Sequence, residues 1–172
     1  VGYSLLDEVA DLAAVIEAAG DRVDVVAHSY GGLVALEAVL LDLPVDRLVV
    51  YEPSIDDSPA FPDVVARVTR LVEQGEMERA AETLLVERAG VPPDALEAVR
   101  ELPLWSIVLH GIEVLPREGR VIVNHRFRPA RFAQLQLFTL VLVGEQSPEY
   151  RHEAVRALDK ALPRSQLRVL SG

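Results

Sequence analysis

Residues 22–41 constrain the fold more than any other stretch of this chain. An apolar run containing Val23, Val25 and Val26 leads into Ala27-His28-Ser29-Tyr30-Gly31-Gly32, and then into Leu33 to Leu41, a Leu, Val and Ala run with the single charge Glu37. The first part predicts a strand, Arg22 to His28. It stays apolar up to Ala27, as expected for a strand covered on both faces. The last part predicts a helix so apolar that it must lie buried against a sheet. Ser29 to Gly32 form the turn between them, and Leu43-Pro44 breaks the helix.

The rest of the chain repeats this alternation around one interruption. Leu5, Val9, Leu12, Ile16 and Ala19 recur at helical spacing, which predicts a helix from about Leu5 to Ala19. Ser4 with Asp7 resembles a capping box at its start, and Gly20 stops it. Arg47 to Tyr51 reads as a buried strand ended by Glu52-Pro53. Leu135 to Val143 reads as another strand and Pro148 to Ala161 as a helix with Val155, Leu158 and Leu162 inward. Leu167 to Leu170 reads as a last short strand. Between them, Pro62 to Gln74, Glu76 to Ala89 and Pro93 to Arg100 carry helical periodicity, separated by Gly90, Pro92, Pro93 and Pro103. The expected fold is α/β, a parallel sheet with helices on both faces and a helical insertion. The expected organisation is core at 1–53, insertion at 54–134 and core again at 135–172.

Composition narrows the function classes. Half of the 172 residues are hydrophobic, enough for a real core. The formal net charge of −10 argues against a nucleic-acid partner, which requires a cationic face. It favours solubility and says little about substrate. The chain has no cysteine, so disulfides, thiolate nucleophiles and Cys-ligated metals are excluded. That is compatible with a reducing compartment, and a cytoplasmic protein is expected. No uncharged apolar run reaches the length of a membrane span, so no membrane partner is expected. Metal-ligand spacing is absent, and no phosphate-cradling loop occurs beyond the turn at Ser29. The expectation is therefore no metal and no cofactor. Oligomeric state is not legible. The chain begins at Val1 without an initiator Met or a leader, and the expectation is a piece of a longer protein.

The turn at Ser29 suits acyl-transfer chemistry. A serine on a sharp strand-to-helix turn stands out at the carboxyl edge of a sheet, and the tight turn requires small residues two before and two after it. Here these are Ala27 and Gly31. The following helix aims its N–H groups and positive dipole end at the same point. The N–H of Tyr30 can then stabilise a developing oxyanion. The alternative is a Gly-rich turn whose serine only caps the helix.

On these residues the chain resembles the α/β-hydrolase superfamily over essentially its whole length. The family motif is Gly-x-Ser-x-Gly, with Ala27 standing here for the first Gly. Val25 to Leu36 looks like the family's nucleophile elbow, and Leu48-Val49-Val50-Tyr51-Glu52-Pro53 is similar to the strand that follows. The insertion looks like a helical cap. Leu140-Val141-Leu142-Val143-Gly144-Glu145 resembles the strand that often delivers the catalytic acid. The resemblance implies an esterase-like hydrolase with Ser29 as nucleophile and a small, apolar substrate. It also implies a triad in the order serine, acid, histidine. The usual Gly-x-x-Asp is Gly144-Glu145-Gln146-Ser147 here, with serine at the Asp position. Two carboxylates are candidates for the acid. Glu52 ends the strand after the elbow helix, where some members such as haloalkane dehalogenases carry theirs, and Glu145 lies in the usual loop. The alternatives are a structural carboxylate beside Pro53 and a solvated loop residue.

None of the four histidines, His28, His110, His125 and His152, fits the family position after the last strand. The catalytic histidine and the second oxyanion donor are therefore expected outside this chain. His28 reads as a packed elbow residue and His152 as solvent-facing. Trp105 and Tyr51 are candidates for pocket lining or for ordinary burial. Leu102, Leu104, Ile107 and Val108 are candidates for a cap face or for cap core, and Arg126, Arg128 and Arg131 for a surface salt-bridge network or an anion site. Two other functions stay open. One is a non-catalytic ligand-binding protein of the same fold. The other is a haloperoxidase or C–C hydrolase, because fold and triad do not fix the substrate.

Overall fold

Helix α1, Leu5–Ala19, opens where expected: the Ser4 N–H and hydroxyl both meet Asp7 Oδ2 at 2.8 Å. It closes at Gly20, whose φ of +143° is open to glycine alone at little cost. The computed structural model, which describes residues 2–20, 22–55 and 58–171, continues with β1, Val23–His28, and α2, Ser29–Leu40. Strand β2 spans Val45–Tyr51, β3 Phe138–Gly144 and β4 Ser165–Leu170. Helix α7, Glu149–Ala161, joins the last two strands. The four strands form one parallel sheet in the order β1-β2-β3-β4. This is the parallel α/β architecture that the alternation predicts.

Packing explains the apolar runs. Helix α2 lies against β1 and β2 and α7 against β3 and β4. Leu36, Leu48, Val50, Val141, Val143, Val155 and Leu158 are fully buried or nearly so. Val9 on α1 joins Val34 and Ala38 on α2 in a second cluster. Strand β1 departs from expectation. It lies at one edge of the sheet, its residues alternate between half-buried and exposed, and Val26 is 79% exposed. The alternation puts the exposed residues on one face of β1, while α2 packs against the strand, so its apolar composition is not matched by burial on both faces.

Two compact units divide the chain, Val1–Asp56 with His125–Gly172, and Asp57–Asn124. The second holds α3 (Phe61–Glu73), α4 (Met77–Glu87), a 3₁₀ turn at Pro93–Ala95, α5 (Leu96–Arg100) and α6 (Trp105–Asn124). Val64, Val68, Ala80, Ala81 and Ile112 form its core, with Trp105 and Val108 packed against it. Gly119 lets α6 approach α3, since a Cβ there would lie 2.9 Å from Val65 Cγ1. The twenty-residue α6 was not expected from periodicity. Pro116 and two glycines, Gly111 and Gly119, interrupt its pattern. Leu102, Leu104 and Ile107 are exposed, so only part of that cluster is core.

The first unit resumes at His125 and is fastened at once. Buried Glu37 on α2 accepts Arg131 through two hydrogen bonds of 2.6 and 2.8 Å and meets His125 Nε2 at 3.2 Å. Arg131 therefore turns inward to a buried carboxylate. Burial pushes the Glu37 carboxyl up, but bonds from His125 and Arg131 outweigh this and hold it below the ordinary range.

Candidate active site

The carboxyl ends of β1 and β2 lie side by side, with His28 opposite Tyr51 in the register. Each strand ends in a residue with left-handed backbone, Ser29 at φ +51° and Glu52 at φ +46°. Among the described residues only Asp42 shares this conformation without being glycine. Such backbone costs about 1–3 kcal/mol per residue and persists where surrounding structure enforces it. Here the enforcement is visible. Ser54 N–H donates to the Ser29 carbonyl at 3.0 Å, and the two hydroxyls lie 3.3 Å apart. Gly32 sits directly against Pro53, so that a Cβ on it would lie 2.9 Å from the proline Cβ. The loop after β2 thus braces the turn after β1. Ser54 is 8% exposed, and nothing in the sequence singles it out.

Tyr30 follows Ser29 in the first turn of α2, where helix N–H groups point outward. Its hydroxyl lies 3.0 Å from that of Tyr3, which donates to Glu8. Burial and these hydrogen bonds push the Tyr3 phenol well above the usual tyrosine range.

Glu52 is 6% exposed and sits among donors. Its Oε1 accepts the Gly144 N–H at 3.0 Å and the Ser147 hydroxyl, and its Oε2 pairs with Arg151 Nη1 at 3.1 Å. Gly144 makes room for this: a methyl there would come within 2.8 Å of Ser147 Oγ and 3.5 Å of Glu52 Oε1. Burial alone raises the Glu52 carboxyl. Bonds from Ser147 and Gly144, with the charges of Arg151 and His28, outweigh it and hold the group below the ordinary glutamate range. The two loops that the sequence offers for an acid therefore meet at one place. Glu52 comes from the first and Ser147, at the position expected to hold Asp, from the second. Glu145 is exposed, and its N–H extends the sheet to the Leu170 carbonyl.

Two histidines of this unit, His28 and His125, have partners of their own. His28 stacks on Tyr51 with ring centroids 5.1 Å apart, and its packing with the Arg151 charge holds its pKa down. His125 meets Glu37. His152 lies half-buried on α7. Among the described residues, no group of three His, Cys, Asp or Glu could hold a metal, and no helix is long and apolar enough to cross a membrane.

A family model described as the alpha/beta hydrolase family matches residues 2–172. The chain belongs to the alpha/beta hydrolase family. This α/β-hydrolase chain is 30% identical to an alpha/beta hydrolase from Sphaerobacter thermophilus DSM 20745. That match has a TM-score of 0.87 and covers all of this chain and 68% of the other. It is 15% identical, at a TM-score of 0.80, to an alpha/beta hydrolase enzyme from a Medee basin deep-sea metagenome library, covering 99% of this chain and 65% of that one. A putative non-heme bromoperoxidase from Mycobacterium tuberculosis shares the fold at 19% identity and a TM-score of 0.71, with coverage of 99% and 66%. The chain thus spans about two-thirds of the length of these structures. Among curated proteins nothing matches.

Proposed function

We propose that this α/β-hydrolase chain supplies the nucleophile and the acid of a cytoplasmic serine hydrolase acting on a small, apolar, ester-like substrate. Ser29 Oγ attacks the acyl carbon and its proton passes to an imidazole base. The base returns that proton to the departing alkoxide, and water then releases the acyl group by the same route. The N–H of Tyr30 stabilises the oxyanion. Glu52 orients the base and stabilises its cation. No cofactor enters the scheme.

The observation that carries this proposal is the strained backbone of Ser29, at φ +51°, between the end of β1 and the first turn of α2. A serine that merely capped the helix would take extended backbone and need no strain. The test is labelling of the full-length protein by a fluorophosphonate probe. The wild type should label at one site and Ser29→Ala should lose the label entirely. If an active preparation does not label, or labels equally with Ser29→Ala, the nucleophile is not Ser29. Ligand binding by an intact but unlabelled protein would instead favour the non-catalytic member of the fold.

A further inference from the structure

Arg151 stands beside Glu52 without a role in the scheme above. It lies in the first turn of α7, its N–H bonded to the Pro148 carbonyl at 2.9 Å, and its side chain is 16% exposed. Its Nη1 lies 3.1 Å from Glu52 Oε2 and 3.5 Å from the Glu52 carbonyl oxygen, so one guanidinium holds both the side chain and the backbone of this residue.

We propose that Arg151 is a positioning residue of this site: it fixes Glu52 through Oε2 and thereby sets the pH at which Ser29 becomes a nucleophile. The proposal rests on Ser29 and Glu52 acting as described above. A triad carboxylate orients the imidazole and stabilises its cation. A guanidinium on the same carboxylate partly neutralises the second effect while strengthening the first. The base beside such a pair gives up its proton at lower pH than beside a lone carboxylate, and the nucleophile is active to lower pH. The other groups facing this pair are Ser147 from the loop after β3, Tyr51 from β2 and His28 from β1. The Tyr150 ring lies 5.5 Å from the guanidinium. Of these, His28 is an imidazole whose pKa burial and the Arg151 charge hold down, so it needs its own control.

The experiment is the second-order rate of fluorophosphonate labelling of the full-length protein between pH 4 and 9, for wild type, Arg151→Lys, Arg151→Met and Ser29→Ala. Arg151→Met should move the midpoint of the acid limb up by about one pH unit, a Coulomb effect at several ångströms in a partly buried site. Arg151→Lys should restore most of the wild-type midpoint. The shift should be the same in a His28→Gln background. An unmoved midpoint in Arg151→Met, or rates that fall equally in Met and Lys variants at every pH, would overturn the proposal and leave Arg151 a structural ion pair. If Arg151→Met does not fold, Arg151→Lys and Arg151→Gln decide by the same comparison. Labelling that survives in Ser29→Ala identifies a different failure, that of the nucleophile assignment on which this role depends.

Discussion

Glu52 combines two unfavourable features, a left-handed backbone and a carboxylate nearly out of water. Both persist because Gly144, Ser147 and Arg151 converge on it. The charge is stabilised in the folded state only, so its contribution is present above the ordinary glutamate range and is lost as pH falls through and below it. Glu52→Gln should therefore cost about 3 kcal/mol at pH 7, where it leaves a largely buried guanidinium without its partner. Its penalty should shrink between about pH 5 and pH 3. Urea melts of both proteins across that range check this, and a penalty that does not change with pH would refute it. Glu52 is legible in the sequence from its place after the second strand. Ser147 stands out there only as a departure from Gly-x-x-Asp. That the departure and the candidate acid touch depends on how β2 and β3 pair, which no spacing along the chain reveals. Arg151 is one of several charges on an amphipathic helix and carries no local signal.

At the scale of elements, the elbow is a product of two turns and not one. The turn at Ser29 was legible because an apolar strand and an apolar helix flank it within a few residues. The brace from Pro53 and Ser54 was not, because it joins positions some twenty residues apart through parallel pairing of β1 and β2. Gly32 shows how close the brace is. Gly32→Ala would press a methyl to within 2.9 Å of Pro53 Cβ and 3.0 Å of its Cα, and backbone atoms cannot swing aside. The substitution should destabilise the protein by about 1–3 kcal/mol and reduce fluorophosphonate labelling more than stability alone explains. Denaturation midpoints and labelling rates on the same samples measure both. A Gly32→Ala protein as stable as wild type would mean that the two turns are not coupled. The helix α6 escaped sequence analysis for the opposite reason. It has a long apolar face, but Gly111, Pro116 and Gly119 are helix-breaking signals by propensity, and tertiary contact with α3 overrides them.

At the scale of the molecule, the order of strands and helices was legible almost throughout, since each buried run is bounded by a proline, a glycine or a change of period. Exposure was not, because the same Val-rich segment reads alike whether one of its faces is covered or both. Strands β1 and β4 are the outer two of the four described strands, and an apolar side chain stands exposed on each, Val26 on β1 and Val169 on β4. An edge strand offers a row of unpaired amides as a template, and natural edges are often guarded by charge. Arg47 paired with Asp24 and Arg168 on β4 guard these edges thinly. Sedimentation of this chain expressed alone should reveal concentration-dependent species that Val26→Lys reduces, with a stability change within about 0.5 kcal/mol. Unchanged sedimentation in the variant would clear β1 of the part given to it. The exposed valine thus makes colloidal lifetime a separate quantity from folding stability. A dilute, low-temperature preparation of this chain and a concentrated, warm one should age differently, although every molecule in both is folded.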